Sequence, residues 1–243
     1  MERQRWWRGT SLVIAGLIAV CGCTVEEGGV PDPDAKPSAS AGGVPSQAAP
    51  DDDQPAAQSG ALPGVPGESE ARSQLAALRV APQGSMAGYS RSKFPHWSEQ
   101  GENCNTRETV LERAGTDVQR DGECRAVSGT WVSVYDDITV TDASQLDIDH
   151  MVPLANGWRS GASRWSTEKR KAFANDLDHP QLLAVSATTN RSKGDQGPDE
   201  WQPPSKAYWC TYGRAWTSVK STYDLSVTKA EKDMLTEMLD TCT

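Results

Sequence analysis

Tyr208, Tyr212, Trp216, Val219 and Tyr223 recur at helical spacing after the Pro203-Pro204 pair, so they predict a helix with one apolar face. That stripe reads as core rather than as a cofactor box. A last helix follows, opened by Thr228 and Glu231 in the spacing of a capping box and burying Met234, Leu235, Met238 and Leu239. Upstream, residues 130–135 and 138–141 are β-branched and aromatic on either side of Asp136-Asp137, which predicts a hairpin. Asn105 followed by Glu108 caps another helix, which Gly115 ends. Residues 146–154 form an extended run, Ser166 caps a helix through Asn175, and 181–185 form a short apolar strand leading into a short polar helix. Helix, strands, helix, strand and further helices in this order define an α+β domain.

Before residue 85 the pattern fades. Residues 24–84 are Pro, Gly, Ala, Ser and Asp with no aromatic residue, and nine acidic side chains face three basic ones. Such a segment cannot bury a core and is expected to be a disordered tether, spanning roughly 40 to 45 Å as a flexible coil of about 60 residues. Within it, only residues 70–80 place apolar groups on one side, Leu75 and Leu78, where a short helix could dock onto the next domain. Residues 85–243 carry seven of the nine tryptophans and are long enough for one domain with its own core. At the other end, Arg3, Arg5 and Arg8 precede an apolar stretch, residues 12–20, that is too short to cross a membrane as a mature helix. It reads as a signal peptide. Its end, Val20-Cys21-Gly22-Cys23, resembles a bacterial lipobox, which implies cleavage before Cys23 and lipidation of that cysteine. The expected organisation is therefore a lipoprotein-type signal peptide (1–23), a linker (24–84) and a domain (85–243). The mature chain is expected outside the cytoplasm, anchored to the membrane by lipid, or secreted if the lipobox is not used.

Four cysteines remain in the domain, Cys104, Cys124, Cys210 and Cys242. In an oxidising compartment they imply two disulfides with three connectivities open, and Cys104–Cys124 with Cys210–Cys242 is favoured because each pair brackets a local unit. Zinc is the rival reading, but none of the four stands in a Cys-x-x-Cys spacing. Charge works against an extended nucleic-acid surface. The whole chain carries −9, and residues 85–243 hold 18 basic against 23 acidic side chains. A locally basic cleft around Arg159, Arg164, Lys169, Arg170, Lys171, Arg191 and Lys193 is the way to reconcile this with an anionic substrate.

Two stretches carry chemistry. The first is Leu146-Asp147-Ile148-Asp149-His150-Met151-Val152-Pro153, in which alternation puts Asp147 and Asp149 on one face and Pro153 stops the strand. A strand that ends at Asp149-His150 frees both side chains at its tip, a carboxylate for a hard cation and an imidazole to accept a proton from water. In the second, an apolar strand runs from Gln181 into a polar helix carrying Asn190, Arg191, Lys193 and Gly194. The Asn190 amide oxygen, the Asp149 carboxylate, waters and a substrate phosphate would suit Mg2+, with Mn2+ or Zn2+ as alternatives. Taken singly, Asp149 beside His150 is an ordinary surface pair and Asn190 an ordinary helix residue. Their combination in a strand-to-helix frame is what stands out. His96 and His179 read as structural, and Arg107 suits a phosphate contact or a structural ion pair equally.

Asp149-His150-x-x-Pro153 followed by a strand and Asn190-x-x-Lys193-Gly194 resembles the HNH endonuclease motif of the ββα-metal superfamily. Tyr89-x-Arg91-x-x-Phe94-x-His96-Trp97, Cys104-Asn105-Thr106-Arg107, Trp158-Arg159-Ser160-Gly161-Ala162 and Pro198-x-x-Trp201-x-Pro203-Pro204 are similar to its exported bacterial branch. The resemblance covers nearly all of residues 85–243. It implies a ββα-metal core with additional helices, His150 as general base, and Asp149 and Asn190 as metal ligands. Gln181 stands where many HNH proteins have an asparagine that orients the catalytic loop, one methylene longer with the same amide. Arg191 and Lys193 would contact phosphate. The function implied is metal-dependent endonuclease cleavage of nucleic acid, with DNA favoured over RNA. The alternative is a non-catalytic surface lipoprotein that keeps the frame as a binding or structural module. The sequence suggests no protein partner.

Overall fold

The computed structural model describes residues 62–243. The signal segment, Cys23 and most of the expected tether lie outside the described residues. Three small antiparallel sheets, seven α-helices and four short 3-10 helices account for the regular structure of the described part. The strands β1 (Glu99–Gly101) and β2 (Cys104–Asn105) form one ribbon, and a sheet of order β3-β4-β5 comprises Thr116–Arg120, Ala126–Ser133 and Ile138–Val140. The third sheet pairs β6 (Leu146–His150) with β7 (Leu182–Ser186).

The helices are α1 (Glu68–Ala77), α2 (Thr106–Ala114), α3 (Leu154–Ser160), α4 (Thr167–Ala174), α5 (Ala187–Lys193), α6 (Trp209–Thr222) and α7 (Lys229–Leu239). Capping accounts for several of their starts. Asn105 and Glu108 close a capping box at α2, Thr228 and Glu231 close another at α7, and the Ser166 hydroxyl accepts from Lys169 N at α4. Tyr212, Trp216 and Val219 of α6 pack with Leu235, Met238 and Leu239 of α7 in the larger core. A second core lies between α2 and the strands, around Val110, Leu111, Trp131, Ile148 and Leu182.

Several expectations change here. Within the expected tether, the short helix expected over 70–80 forms as α1 and buries Ala71 and Leu75 in the larger core, with Leu78 beside them, so the domain begins earlier than residue 85. Arg72 fastens it further, to Asp240 at 2.9 Å and to the Leu239 carbonyl at 2.8 Å. Three apolar positions on one side of a polar segment suffice when a preformed core receives them. β3 leaves no mark in the sequence pattern, because its side chains are mostly exposed and show no apolar alternation. The extended run expected over 146–154 ends at His150, and Pro153 then caps α3 with its fixed φ of −54°. Cys104 is bonded to Cys124 and Cys210 to Cys242, the pairing favoured from the sequence. The second bond ties the start of α6 to the chain just beyond α7.

Candidate active site

β6 and β7 run antiparallel in continuous register, from Leu146 opposite Ser186 to His150 opposite Leu182, so the Asp149-His150 tip lies beside the start of β7. Ser186 ends β7 and caps α5 in the same step, its hydroxyl accepting from Thr189 N at 3.3 Å. With no loop between strand and helix, Asn190 is carried back over β6, where its Nδ2 donates to Asp147 Oδ2 at 3.2 Å. Gly194 then ends α5 at a φ of +57°, in the left-handed region that a side chain would strain.

Asp149, His150, Asn190 and Arg191 come together in one cleft of about 260 Å³, which Tyr89 and Arg91 also line. His150, which lines the cleft, is buried. Its Nε2 lies 3.0 Å from the Ala174 carbonyl oxygen, which can only accept, so Nε2 carries the hydrogen and Nδ1 the lone pair. Burial lowers the His150 pKa to about 3, so the ring is neutral at any physiological pH. The Trp97 ring lies 6.1 Å from the imidazole, and Trp97 itself holds a φ of 61°. A bulky residue in that region costs of order 1 to 3 kcal/mol, a strain that here accompanies the placement of an aromatic wall against His150.

Asp149 is buried and unevenly satisfied. Its Oδ2 accepts from the Tyr135 hydroxyl at 2.6 Å and from the Lys193 ammonium, whereas Oδ1 accepts no hydrogen bond among the described residues. Burial raises the Asp149 carboxyl above the usual aspartate range, and the Lys193 charge opposes that rise. Burial also holds the Tyr135 hydroxyl well above its ordinary pKa, so it stays a donor. Gln181 is buried behind the tip. Its amide pairs with both backbone groups of Val152, accepting from N at 3.1 Å and donating to O at 3.0 Å, while its own carbonyl receives Met151 N at 2.7 Å.

Lys193 is the clearest correction. Expected to contact phosphate, it is fully buried and spends its ammonium on Asp149 and on the carbonyls of His150 and Met151, so it cannot reach a substrate. The basic cleft is accordingly smaller than expected. Arg159 is held by Asp195 at 3.0 Å, and Arg170 by the Lys93 carbonyl at 2.9 Å. Arg107 donates to the carbonyls of Ala143 and Leu146, a structural role. Arg191, largely exposed and 3.6 Å from Asp147, remains available, and Arg91 lines the same cleft. Sequence reasoning gave no role to Tyr135, Tyr89, Arg91 or the Ala174 carbonyl. Tyr135 reads only as the last residue of an expected strand, and a carbonyl partner leaves no trace in composition.

Among the described residues no three or more His, Cys, Asp or Glu side chains cluster as a metal cage. Two hard oxygens at the cleft, Asp149 Oδ1 and Asn190 Oδ1, suit a cation of the Mg2+ kind, which uses one or two carboxylates and fills its remaining positions with water and phosphate.

This arrangement coincides with a family match. Residues 105–238 match the C-terminal domain of the GmrSD restriction endonucleases, and the chain belongs to that nuclease family. It is also 59% identical over 180 residues to an "Uncharacterized secreted protein" of the fungus Arthroderma benhamiae, covering 74% of this chain and 88% of that protein. No solved structure matches the chain.

Proposed function

We propose that the cleft hydrolyses phosphodiester bonds of nucleic acid by an HNH-type mechanism, with β6, β7 and α5 as its ββα-metal core. The observation that carries this reading is the neutral His150, its Nε2 hydrogen committed to Ala174, beside the free oxygens of Asp149 and Asn190. His150 Nδ1 takes the proton from a water that attacks phosphorus. Asp149 and Asn190 would hold Mg2+, or Mn2+ or Zn2+, which when bound neutralises charge on the phosphate and the leaving 3' oxygen. Gln181 keeps the 150–152 turn in place through its double contact with Val152. Arg191 and Arg91, both lining the cleft, contact the phosphate backbone. DNA is the favoured substrate.

The fungal relative is named as secreted, and together with the signal-like N-terminus this supports action outside the cytoplasm, with a lipid anchor at Cys23 as part of the proposal. A non-catalytic binding module is the second reading. It is favoured by the Lys193 ammonium on Asp149, which offsets the charge of the one carboxylate offered to a cation.

The test is cleavage of supercoiled plasmid and of RNA by wild type and His150→Ala. Loss of the base is expected to reduce the rate by about 10² to 10⁴-fold, with folding and metal binding close to wild type, since no ligand is removed. Near wild-type cleavage by His150→Ala would contradict the assignment.

A further inference from the structure

Lys193 and Tyr135 are both fully buried, and their donors converge on one atom, Asp149 Oδ2. An ammonium has three N–H groups, and Lys193 gives the other two to the carbonyls of His150 at 2.9 Å and Met151 at 3.0 Å. The charge is further held by aromatic faces, with the rings of Tyr135, Tyr212 and Trp216 centred 5.9, 6.0 and 5.7 Å away. Lys193 thus joins the C-terminal end of α5, the helix that carries Asn190, to the last residues of β6 and the turn beyond. The second candidate ligand is oriented in a matching way. Asp147 engages the amide nitrogen of Asn190, which leaves the amide oxygen free.

We infer that Lys193 and Tyr135 are positioning residues for the divalent cation: they pin Asp149 through Oδ2 and lock α5 to the strand tip, so that Asp149 Oδ1 and Asn190 Oδ1 face the cation together. This rests on the metal-dependent reading of the cleft given above. A lysine of merely structural value would need no carboxylate that also borders a cleft. Tyr135 adds a donor to an oxygen the lysine already satisfies, which fixes the plane of the carboxylate rather than its charge. Outer partners of this kind typically set metal affinity by roughly 10- to 100-fold.

The test is Mn2+ binding to the full chain without nucleic acid, followed by calorimetry and by the electron paramagnetic resonance of free Mn2+, in wild type, Asp149→Ala, Tyr135→Phe and Lys193→Met. Wild type is expected to bind and Asp149→Ala to lose binding. Tyr135→Phe keeps the ring and its packing, so it is expected to fold and to bind Mn2+ about 10- to 100-fold more weakly. Its cleavage is expected to recover towards the wild-type maximum at saturating Mn2+, a shift in metal requirement that a packing defect does not produce. Lys193→Met removes a positive charge beside Asp149 as well as a positioning contact, two opposed effects on Mn2+ affinity, so Tyr135→Phe decides. Folded Tyr135→Phe with wild-type Mn2+ affinity would overturn the inference while leaving the nuclease reading intact. Folded wild type that binds no Mn2+ would overturn both.

Discussion

Two lysines are fully buried among the described residues, Lys193 and Lys220, and both ammonium groups lie within 6 Å of the centre of the same ring, that of Trp216. Their carboxylate partners differ. Glu231, the partner of Lys220, has both oxygens occupied: Oε1 accepts from Trp216 Nε1 at 2.6 Å and meets Lys220 at 3.0 Å, and Oε2 accepts from Thr228 N at 3.2 Å. Lys220 completes its own set on Asn156 Oδ1 and the Ser226 carbonyl. Asp149, the partner of Lys193, has one oxygen doubly engaged and the other free, at the wall of a cleft. A buried ion pair whose every atom is satisfied holds helices together. One that leaves an oxygen unused beside a neutral histidine is arranged for something that is not part of the chain.

The largest difference between the two pairs is expected in Lys220→Met. Removing one partner of a buried pair leaves the other charge unpaired and costs about 3 to 5 kcal/mol, to be read by urea unfolding. Cleavage per folded molecule should be unchanged, because neither Lys220 nor Glu231 borders the cleft. A loss of activity in the folded variant would merge the two sites into one network.

The disulfide that closes the same helical side comes next. Replacing both Cys210 and Cys242 by serine frees a closed loop with a sequence separation of 32 residues, worth roughly 3 to 4 kcal/mol in the chain-entropy model. Neither cysteine lines the cleft, so the expected signature is a lower unfolding midpoint with cleavage retained below it. Equal stability of the serine variant and wild type would remove this bond from the account.

Acid should separate the two regions by a smaller amount. The unfolded chain protonates His150 near pH 6.5, whereas the folded protein resists until about pH 3. The unfolded state therefore binds more protons across that window, and stability falls as pH drops from 6.5 towards 3, by up to about 1.4 kcal/mol per unit for this one group. His150→Ala lacks that contribution, so between pH 7 and pH 5 it should lose less stability than wild type. Identical losses would mean that His150 is not held neutral. Wild-type cleavage should also show no fall near pH 6.5, in contrast to the profile of an unperturbed histidine base.

Much of this was legible in the sequence, and for specific reasons. Helix starts at Asn105, Ser166 and Thr228 are local chemistry, decided within four residues. The α6 stripe and the disulfide bracketing are similarly short-range. Asp149, His150 and Asn190 could be singled out because a strand tip and a strand-to-helix junction place them with little freedom. Lys193 could not be read correctly, since its three acceptors come from residues 42 to 44 positions away and a lysine in an exposed-looking polar helix ordinarily faces water. The same holds for Tyr135, and for the Ala174 carbonyl that sets the tautomer of His150 from 24 residues away. The short helix over 70–80 could be read from Leu75 and Leu78, but the surface that receives it is built by α6 and α7, far along the chain.

The central claim is that the unused oxygens of Asp149 and Asn190 make the cleft a metal-dependent nuclease site. It is tested most directly by nicking of supercoiled plasmid with purified wild-type protein in Mg2+ and in EDTA. The account predicts cleavage in Mg2+ that EDTA stops and added Mg2+ restores. Cleavage that proceeds equally in EDTA, or no cleavage of DNA or RNA with Mg2+, Mn2+ or Zn2+, would contradict it.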